Sequence, residues 1–228
     1  MRKILQKVFS IFRKKELRQP AKKRKSSGQS LVEFGLLLPI LLMLFTGMVE
    51  FGFMLNSYLS LLDATRQAAR LCSNGNPFQL DPITNTIVDN VAFSPYCAQA
   101  VVDSLAPPSD PEARQMVMDQ TRDDVVISVL RVNVDTATDT ISLIERFPEG
   151  SLFFSYYGNH DSGYTDTDIE DFMTQNSTVP VETGILIVEV FFGYEGVLKL
   201  PWVEAFMSDA DPVMLHASTI MPLVAAKP

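Results

Sequence analysis

The stretch Phe34–Val49, FGLLLPILLMLFTGMV, decides the fold because it is the most hydrophobic run of the chain and carries no charge. As an α-helix with a rise of about 1.5 Å per residue, this run would span about 24 Å. That is slightly short of a hydrocarbon core of about 30 Å, but apolar residues resume after Glu50 and continue to Leu62. We therefore expect a transmembrane helix, with Glu33 and Glu50 near its two interfaces.

The charge distribution predicts how this helix is oriented. Residues 1–28 carry eleven Lys and Arg against one Glu, a charge of +10, whereas residues 29–228 carry −18. The basic cluster Lys22–Lys25 directly precedes the apolar run, so the positive-inside rule keeps the N-terminus cytoplasmic and exports residues from about 60 onward. A charge of −18 also argues against nucleic acid as a partner of the exported part.

Two alternatives to a retained span are a buried core helix and a cleaved secretory signal peptide. A core helix rarely follows a leader this basic. The apolar run exceeds the 7–15 residues of a signal-peptide core, and no small-x-small site follows it. Before the span, residues 2–18 have apolar positions at helical spacing, which fits either an amphipathic helix on the cytoplasmic leaflet or a mobile basic leader.

The apolar pattern predicts one helix from about Ser30 to Leu71. Pro39 lacks an N–H and predicts a local irregularity, and the segment Ser73–Pro77 carries strong helix-stop residues. Gly47 and Gly52 offer close approach to another helix, although their spacing of five differs from that of a GxxxG face.

The sequence after the helix predicts an α+β fold, in which a mostly antiparallel β-sheet ectodomain follows the long N-terminal transmembrane helix. The expected organisation is a leader at 1–28, a helix and its extension at 29–71, and an exported domain at 72–228. Pro222 places the last strand at a sheet edge. Strands are expected at 123–135 (half-buried), 140–144, 184–194 and 215–224, a short helix at 112–120 and an exposed excursion at 150–180.

The most informative residues for function are Gly28-Gln-Ser-Leu-Val-Glu33-Phe34, followed by an apolar helix with an early proline. Together with Gly47-Met-Val-Glu50-Phe-Gly52 and the Ala- and Arg-rich segment 63–70, they resemble the TadE-like pseudopilins of the tight-adherence (Flp, type IV) pilus. The resemblance is close over residues 28–71. It is weaker over 186–224, where Ile187-Val-Glu-Val190 and His216-Ala-Ser-Thr219 also suit the family.

This resemblance implies cleavage by a prepilin peptidase after Gly28, which would leave Gln29 as the new N-terminus. Glycine lets a protease approach the backbone closely. Glu33 would become the fifth mature residue, and its carboxylate is costly at a membrane edge unless it is paired. The resemblance implies pairing with the new α-amino group of the same or a neighbouring subunit. The competing interpretation gives Glu33 no role beyond its interfacial position.

Cys72 and Cys97 both fall on the predicted outer side of the membrane. A cysteine pair in an exported domain predicts a disulfide, and the alternative is two free thiols. A zinc site needs further ligands, but His160 and His216, the two histidines of the chain, are far away in sequence.

Other motifs point to no enzyme, metal or cofactor. The segment Asp166–Ser177 begins like a calcium loop but has Asp171 in place of glycine and Ser177 in place of glutamate, which favours a solvated acidic loop. His160-Asp161-Ser162 supplies the residue types of a catalytic triad, but adjacent residues rarely aim at one another.

The expected function is that of a minor or accessory pseudopilin in pilus assembly, without enzymatic activity and without a small-molecule substrate. Its expected partners are the membrane, the prepilin peptidase, other pilins or pseudopilins and the assembly machinery. The expected location is the bacterial cytoplasmic (inner) membrane, or a surface filament. The alternatives are an anchored binding or adhesion ectodomain that enters no filament, and an anchored hydrolase.

Overall fold

The computed structural model describes residues 27–110, 116–135, 140–147, 152–175, 183–204, 207 and 211–223. The predicted amphipathic segment at 2–18 and the basic cluster at 22–25 lie outside these residues. Over the described part, the chain divides into two compact units between Phe45 and Thr46.

Helix α1 extends over Ser27–Ser73 and confirms the single long helix predicted from the sequence, with Pro39 inside it. Its apolar N-terminal half is long and hydrophobic enough to cross a membrane, and no residue of the most apolar window is buried inside the protein. A single N-terminal apolar helix of this kind indicates membrane anchoring. After Ser73 the chain turns, and the Gly75 N–H donates to the Cys72 carbonyl at 2.8 Å. Position 75 favours glycine because a Cβ there would lie 2.9 Å from the Phe93 ring.

The elements after α1 form a mixed α and β structure, which confirms the predicted α+β fold. The main sheet is antiparallel with strand order β4-β3-β6-β7, while β5 pairs with the first part of β3, and β1 pairs with β2 in a separate hairpin. The elements are β1 (Phe78–Leu80), β2 (Ile87–Asp89), α2 (Phe93–Leu105), β3 (Asp124–Asp135), β4 (Thr140–Phe147), β5 (Phe154–Ser155), α3 (Asp166–Gln175), β6 (Thr183–Tyr194), α4 (Pro201–Glu204) and β7 (Val213–Leu223).

Strand β3 differs from the predicted half-buried strand because both of its faces are covered. Val125, Ile127 and Val129 belong to the larger core cluster, which also holds residues of α1 and α2. Leu130 belongs to a second cluster with Ile169 of α3. A strand buried on both sides is characteristically a near-continuous apolar run, as the segment 125–130 is.

Strand β7 pairs only with β6 among the described strands, and Pro222 lies opposite Ile185 near its end. This confirms the edge position predicted from Pro222, since proline cannot donate a hydrogen bond to a further strand.

The predicted helix at 112–120 is wrong over its described part, because residues 116–119 are not helical. Met116 and Met118 are buried while Val117 between them is 71% exposed. An alternation of period two is the pattern of an extended chain, and it places both methionines in the core. The hairpin β1–β2 and helix α2 are further elements that the sequence patterns did not predict.

The predicted exposed excursion at 150–180 is also corrected, because its described part contains β5 and α3 and contributes to the core. Ile169 and Met173 of α3 are 1% and 3% exposed. Thr165 caps this helix: its hydroxyl accepts from the Asp168 N–H at 3.3 Å, and its own N–H donates to the Asp168 carboxylate at 2.9 Å. This reciprocal capping box explains why an acidic segment expected to be a loop forms a helix.

The start of the same excursion is anchored by a buried carboxylate. Asp124 accepts hydrogen bonds from the Ser155 hydroxyl at 2.5 Å and from the backbone N–H groups of Tyr157, Asn159 and His160 at 2.8–2.9 Å. Burial would raise the pKa of Asp124, but these hydrogen bonds outweigh it and lower the pKa below its ordinary value. The segment 154–160 therefore folds around one ionised side chain.

The lowered pKa makes Asp124 a source of acid sensitivity. Its contribution is fully present above the ordinary Asp pKa of about 3.9 and is lost as the pH falls through the lower folded value. We expect Asp124→Asn to lower the free energy of unfolding at pH 7 by about 2–4 kcal/mol, because hydrogen bonds to a charged group are lost. Unfolding curves measured from pH 7 to pH 2 should show that the difference in free energy of unfolding between the unsubstituted protein and Asp124→Asn disappears as the pH falls. Asp110→Asn, at an exposed side chain, is the matched control, and an equal loss in both variants contradicts the assignment.

Cys72 of α1 and Cys97 of α2 form the predicted disulfide pair. Their Cα atoms are 6.0 Å apart, and both residues are at most 1% exposed. The bond would connect the end of the long helix to the helix that follows the hairpin, and it closes a sequence separation of 25 residues.

A loop of this length corresponds to about 3 kcal/mol in the loop-entropy model. We expect Cys72→Ala/Cys97→Ala to lower the melting temperature by about 6–12 °C, since 1 kcal/mol shifts a domain of this size by about 2–4 °C. Reduced wild-type protein should show the same decrease. Alkylation of the denatured protein before and after reduction measures the bond directly, and equal labelling in the two samples contradicts it.

Candidate functional site on the N-terminal helix

The three residues predicted for processing and pairing lie in the first two turns of α1. Gly28 is exposed, and a Cβ added there would meet nothing within 4 Å. The Gly28–Gln29 bond lies where the first N–H groups of a helix have no partners within the helix, and glycine is a poor helix former. Local unwinding that would present this bond to a protease is therefore inexpensive. Glu33 follows one turn later with an exposed side chain.

The next part of α1 presents an apolar surface on every side of the helix. Phe34 is 58% exposed, and Pro39 and Gly47 are also exposed. A helix that is hydrophobic all round belongs in a membrane or within a larger bundle of helices. The large exposed side chains of this surface are Leu31, Val32, Phe34, Leu36, Leu37, Leu38, Ile40, Leu41, Leu42, Met43, Leu44 and Phe45.

Glu50 differs from its neighbours on the helix because it is only 2% exposed. Its carboxylate accepts hydrogen bonds from the Tyr194 hydroxyl at 2.5 Å, from the Val197 N–H at 2.6 Å and from the Leu198 N–H at 2.9 Å. Three donors satisfy a charge that would otherwise be costly in an apolar surrounding. The end of strand β6 and the loop after it are thus fastened to the helix at one point.

We call residues 195–204 the capping loop, because they close over Glu50 and continue into α4. Gly196 has a φ of +68°, which glycine adopts readily, and a Cβ there would lie 3.5 Å from the Glu50 carboxylate. This turn lets two successive N–H groups, of Val197 and Leu198, face one carboxylate. The Trp202 indole N–H adds a further bond, to the Thr46 hydroxyl at 3.0 Å.

Arg122 holds the other end of the capping loop. Its guanidinium binds Glu195 at 2.9 Å and Asp123 at 3.0 Å, and donates to the Gly193 carbonyl at 3.3 Å. Burial alone would lower the pKa of Arg122, but the two carboxylates raise it. The loop is therefore tied to the sheet by Arg122 and to α1 by Glu50.

The two histidines lie on opposite faces of the Phe191 ring. The His160 and His216 rings stack on it with centroid distances of 4.6 and 4.4 Å. His216 Nε2 lies 3.0 Å from the buried carboxylate of Glu189. Ser162 donates to that same carboxylate at 2.6 Å rather than to a histidine. This arrangement is not the serine-to-histidine relay of a hydrolase, in which the imidazole must reach the hydroxyl.

Over its described part, residues 166–175, the calcium-like motif forms a helix and does not group its acidic side chains as a cation site. Asp166 and Asp168 lie in the first turn of α3, where acidic side chains favour the helix dipole. Asp166 is engaged by Arg146 at 2.5 Å. Among the described residues, no three His, Cys, Asp or Glu side chains are grouped closely enough to hold a metal ion.

Sequence reasoning did not assign a role to Tyr194, Trp202 or the rest of the capping loop. It placed Glu50 at a membrane interface and gave it no protein partner. One signal was available: a carboxylate within an apolar helix requires donors from elsewhere in the chain. The sequence does not say which of the distant segments supplies them.

A family model described as TadE-like protein matches residues 28–70. This confirms, over that segment, the resemblance drawn from Gly28, Glu33 and the apolar helix. The weaker resemblance over 186–224 lies outside the match and stays a prediction. No curated protein and no solved structure matches the chain.

The hydrogen bonds to Glu50 predict that removing its carboxylate strongly lowers the stability of the protein. Glu50→Ala leaves three donors without an acceptor, and we expect the free energy of unfolding to fall by about 2–4 kcal/mol. Glu50→Gln keeps one acceptor oxygen, so its free energy of unfolding should fall by less than that of Glu50→Ala. Denaturant unfolding of the detergent-solubilised protein, followed by Trp202 fluorescence, measures both. Asp63→Ala on the same helix is the matched control, because the Asp63 side chain is 68% exposed. A stability of Glu50→Ala equal to that control contradicts the assignment.

Proposed function

We propose that this protein is a membrane-anchored pseudopilin that acts as a minor or accessory component in assembly of a tight-adherence pilus. The TadE-like match on residues 28–70 carries the proposal, because it coincides with the exposed apolar half of α1 and extends into the half that contributes Leu61, Ala64 and Ala68 to the core. A TadE-like segment on an N-terminal apolar helix indicates a pilus-associated membrane protein. The specific role as a pseudopilin is our inference.

In this proposal, α1 stores the subunit in the membrane before assembly. The basic leader stays in the cytoplasm, the chain crosses the cytoplasmic membrane once, and the sheet domain lies outside. The charges of +10 before residue 29 and −18 after it support this orientation.

A prepilin peptidase then cuts after Gly28, and Gln29 becomes the N-terminus. The new α-amino group is a cation next to Glu33 on the first turns of the helix. A carboxylate at this position also gains about 0.3–1 kcal/mol from the helix dipole. Pairing of Glu33 with the amine of a neighbouring subunit would align the apolar helices as the subunit leaves the lipid. Prepilin peptidase and other pilins are thus the proposed partners.

We further propose that the exported domain is not an enzyme. The histidines and the acidic side chains that a hydrolase would use are engaged in structural contacts: His216 and Ser162 share Glu189, and Asp124 holds the segment 154–160. In this proposal the domain provides a folded surface for assembly rather than a reaction site.

The processing step predicts a specific mass. In a host with an active prepilin peptidase, intact-mass measurement should show a chain that has lost residues 1–28. Gly28→Val should block the cut, because a branched side chain hinders approach to the backbone. Gly35→Val is the matched control, since a Cβ at Gly35 also meets nothing within 4 Å, and it should be processed normally. Retention of the leader in the unsubstituted chain contradicts the proposal.

A second candidate, an anchored binding module outside any filament, is favoured by the exposed hairpin β1–β2. Ile83 at its turn is 91% exposed and Val91 just after it is 78% exposed. Val91 also lines a cavity of about 220 Å³, together with Phe93, Phe147 and Phe154. Counting filaments per cell by electron microscopy in a deletion strain separates the candidates. A pseudopilin predicts fewer filaments, with recovery on complementation, whereas an unchanged number favours the binding module.

A further inference from the structure

The capping loop lies at the height along α1 where a bilayer would end. A hydrocarbon core of about 30 Å takes about 20 helical residues, so a span beginning at Glu33 ends near residue 53. Thr46 and Glu50, to which the loop is fastened, come before that point. Trp202 is therefore bonded to a residue that is itself within the expected thickness of the membrane.

The composition of the loop suits a lipid interface. Between the glutamates at its two ends, Glu195 and Glu204, its sequence from Val197 to Val203 is VLKLPWV, and Lys199 is the single charge of this central part. Glu195 is paired with Arg122. Val197 is 52% exposed, Lys199 and Pro201 are exposed, and Trp202 is partly exposed. Tryptophan is enriched at the level of the lipid headgroups, where its ring is partly apolar and its N–H finds a partner. A lysine beside it can keep its ammonium group among the phosphates while its stem lies along apolar surface.

The short apolar run of α1 gives this loop a reason to reach the bilayer. From Leu31 to Phe45 apolar side chains are exposed all around α1 over about 22 Å at about 1.5 Å per residue, less than a full hydrocarbon core. Beyond Phe45 the exposed apolar surface continues on one side of the helix, where Met48 is 77% and Phe51 57% exposed. The rest of the hydrocarbon core would surround the helix from Thr46 to Glu50. There the capping loop covers the side of the helix that carries these two residues. On that side of the helix, the apolar side chains of the loop would face the lipid in place of helix side chains. The length of the apolar surface then matches the thickness of the hydrocarbon core.

We propose that the capping loop is a lipid-contact element of the outer leaflet, with Val197 and Trp202 at the headgroup and acyl boundary and Lys199 against the lipid phosphates. This rests on the membrane anchoring by α1 and goes beyond the proposed role in pilus assembly. The loop then fixes the sheet domain directly on the membrane surface, because the loop is bonded to both α1 and the sheet through Glu50 and Arg122.

Trp202 is the single tryptophan of the chain, so its fluorescence reports on this loop alone. The full chain is reconstituted in vesicles of phosphatidylcholine and phosphatidylglycerol, with and without bromine atoms at the upper part of the acyl chains. Vesicle flotation confirms insertion, and acrylamide measures access from water. We expect the bromolipids to remove most of the Trp202 emission, and the emission maximum to shift to the blue relative to the unfolded chain.

The matched control is Trp202→Phe/Tyr96→Trp, which moves the probe to a side chain that is 58% exposed on α2. This probe should be quenched by acrylamide and not by bromolipids. The loop proposal is overturned if Trp202 in floated vesicles has the same intensity with and without bromine. If acrylamide alone then quenches the emission, the Trp202 side chain faces water. If neither quencher reduces the emission, Trp202 is covered by a protein partner or by a second copy of this chain. If the chain does not float, the anchoring itself fails and the loop proposal falls with it.

Discussion

The arrangement of the sheet domain depends on one buried charge, the carboxylate of Glu50 in an otherwise apolar part of α1. An ionised group in such surroundings is stable only when donors surround it. Tyr194, Val197 and Leu198 supply three, and all belong to the end of β6 or the loop that follows it. The central strand of the sheet is thereby fastened to the membrane helix close to the expected membrane surface. Further along, the helix also packs on the sheet through the larger core cluster and the Thr65–Thr219 hydrogen bond at 2.8 Å. Helix and sheet therefore form one folded unit from Thr46 onward.

Buried carboxylates that accept several hydrogen bonds also occur inside the domain, and they help to explain how a strongly acidic chain folds. Asp123, Asp124 and Glu189 are all fully buried. Each accepts hydrogen bonds from a neighbouring loop, such as the Asp119 N–H on Asp123 and the Gly163 N–H on Glu189. Carboxylates on the strands therefore determine where the irregular segments lie. Because these acids hold loops in place, we assign the cluster of acidic and histidine residues a structural role.

The parts of the structure that follow from local physical rules were predictable from the sequence. The apolar run predicts α1, the alternating segment 123–135 predicts β3, the glycine-flanked segment 184–194 predicts β6, and Pro222 predicts an edge strand. The failures involve long-range partners. The segment 116–119 has a composition that a helix accepts, but burial of Met116 and Met118 in a distant core selects an extended chain. The acidic segment at 166–175 becomes helical because Thr165 caps it and Ile169 is buried against β3 and β6. Of the candidate site, Gly28 and Glu33 were predicted through the resemblance to TadE-like pseudopilins, whereas the cap on Glu50 depends on residues more than 140 positions away.

The central claim, that the chain is a processed subunit of a pilus, is tested most directly by where its mature form is found. Surface filaments are sheared from the native host, separated from membranes, digested and analysed for the N-terminal peptide of this chain by mass spectrometry. We expect a peptide that begins at Gln29 in the filament fraction. A chain that begins at Met1 and is confined to the membrane fraction, in cells that carry filaments, would contradict the claim.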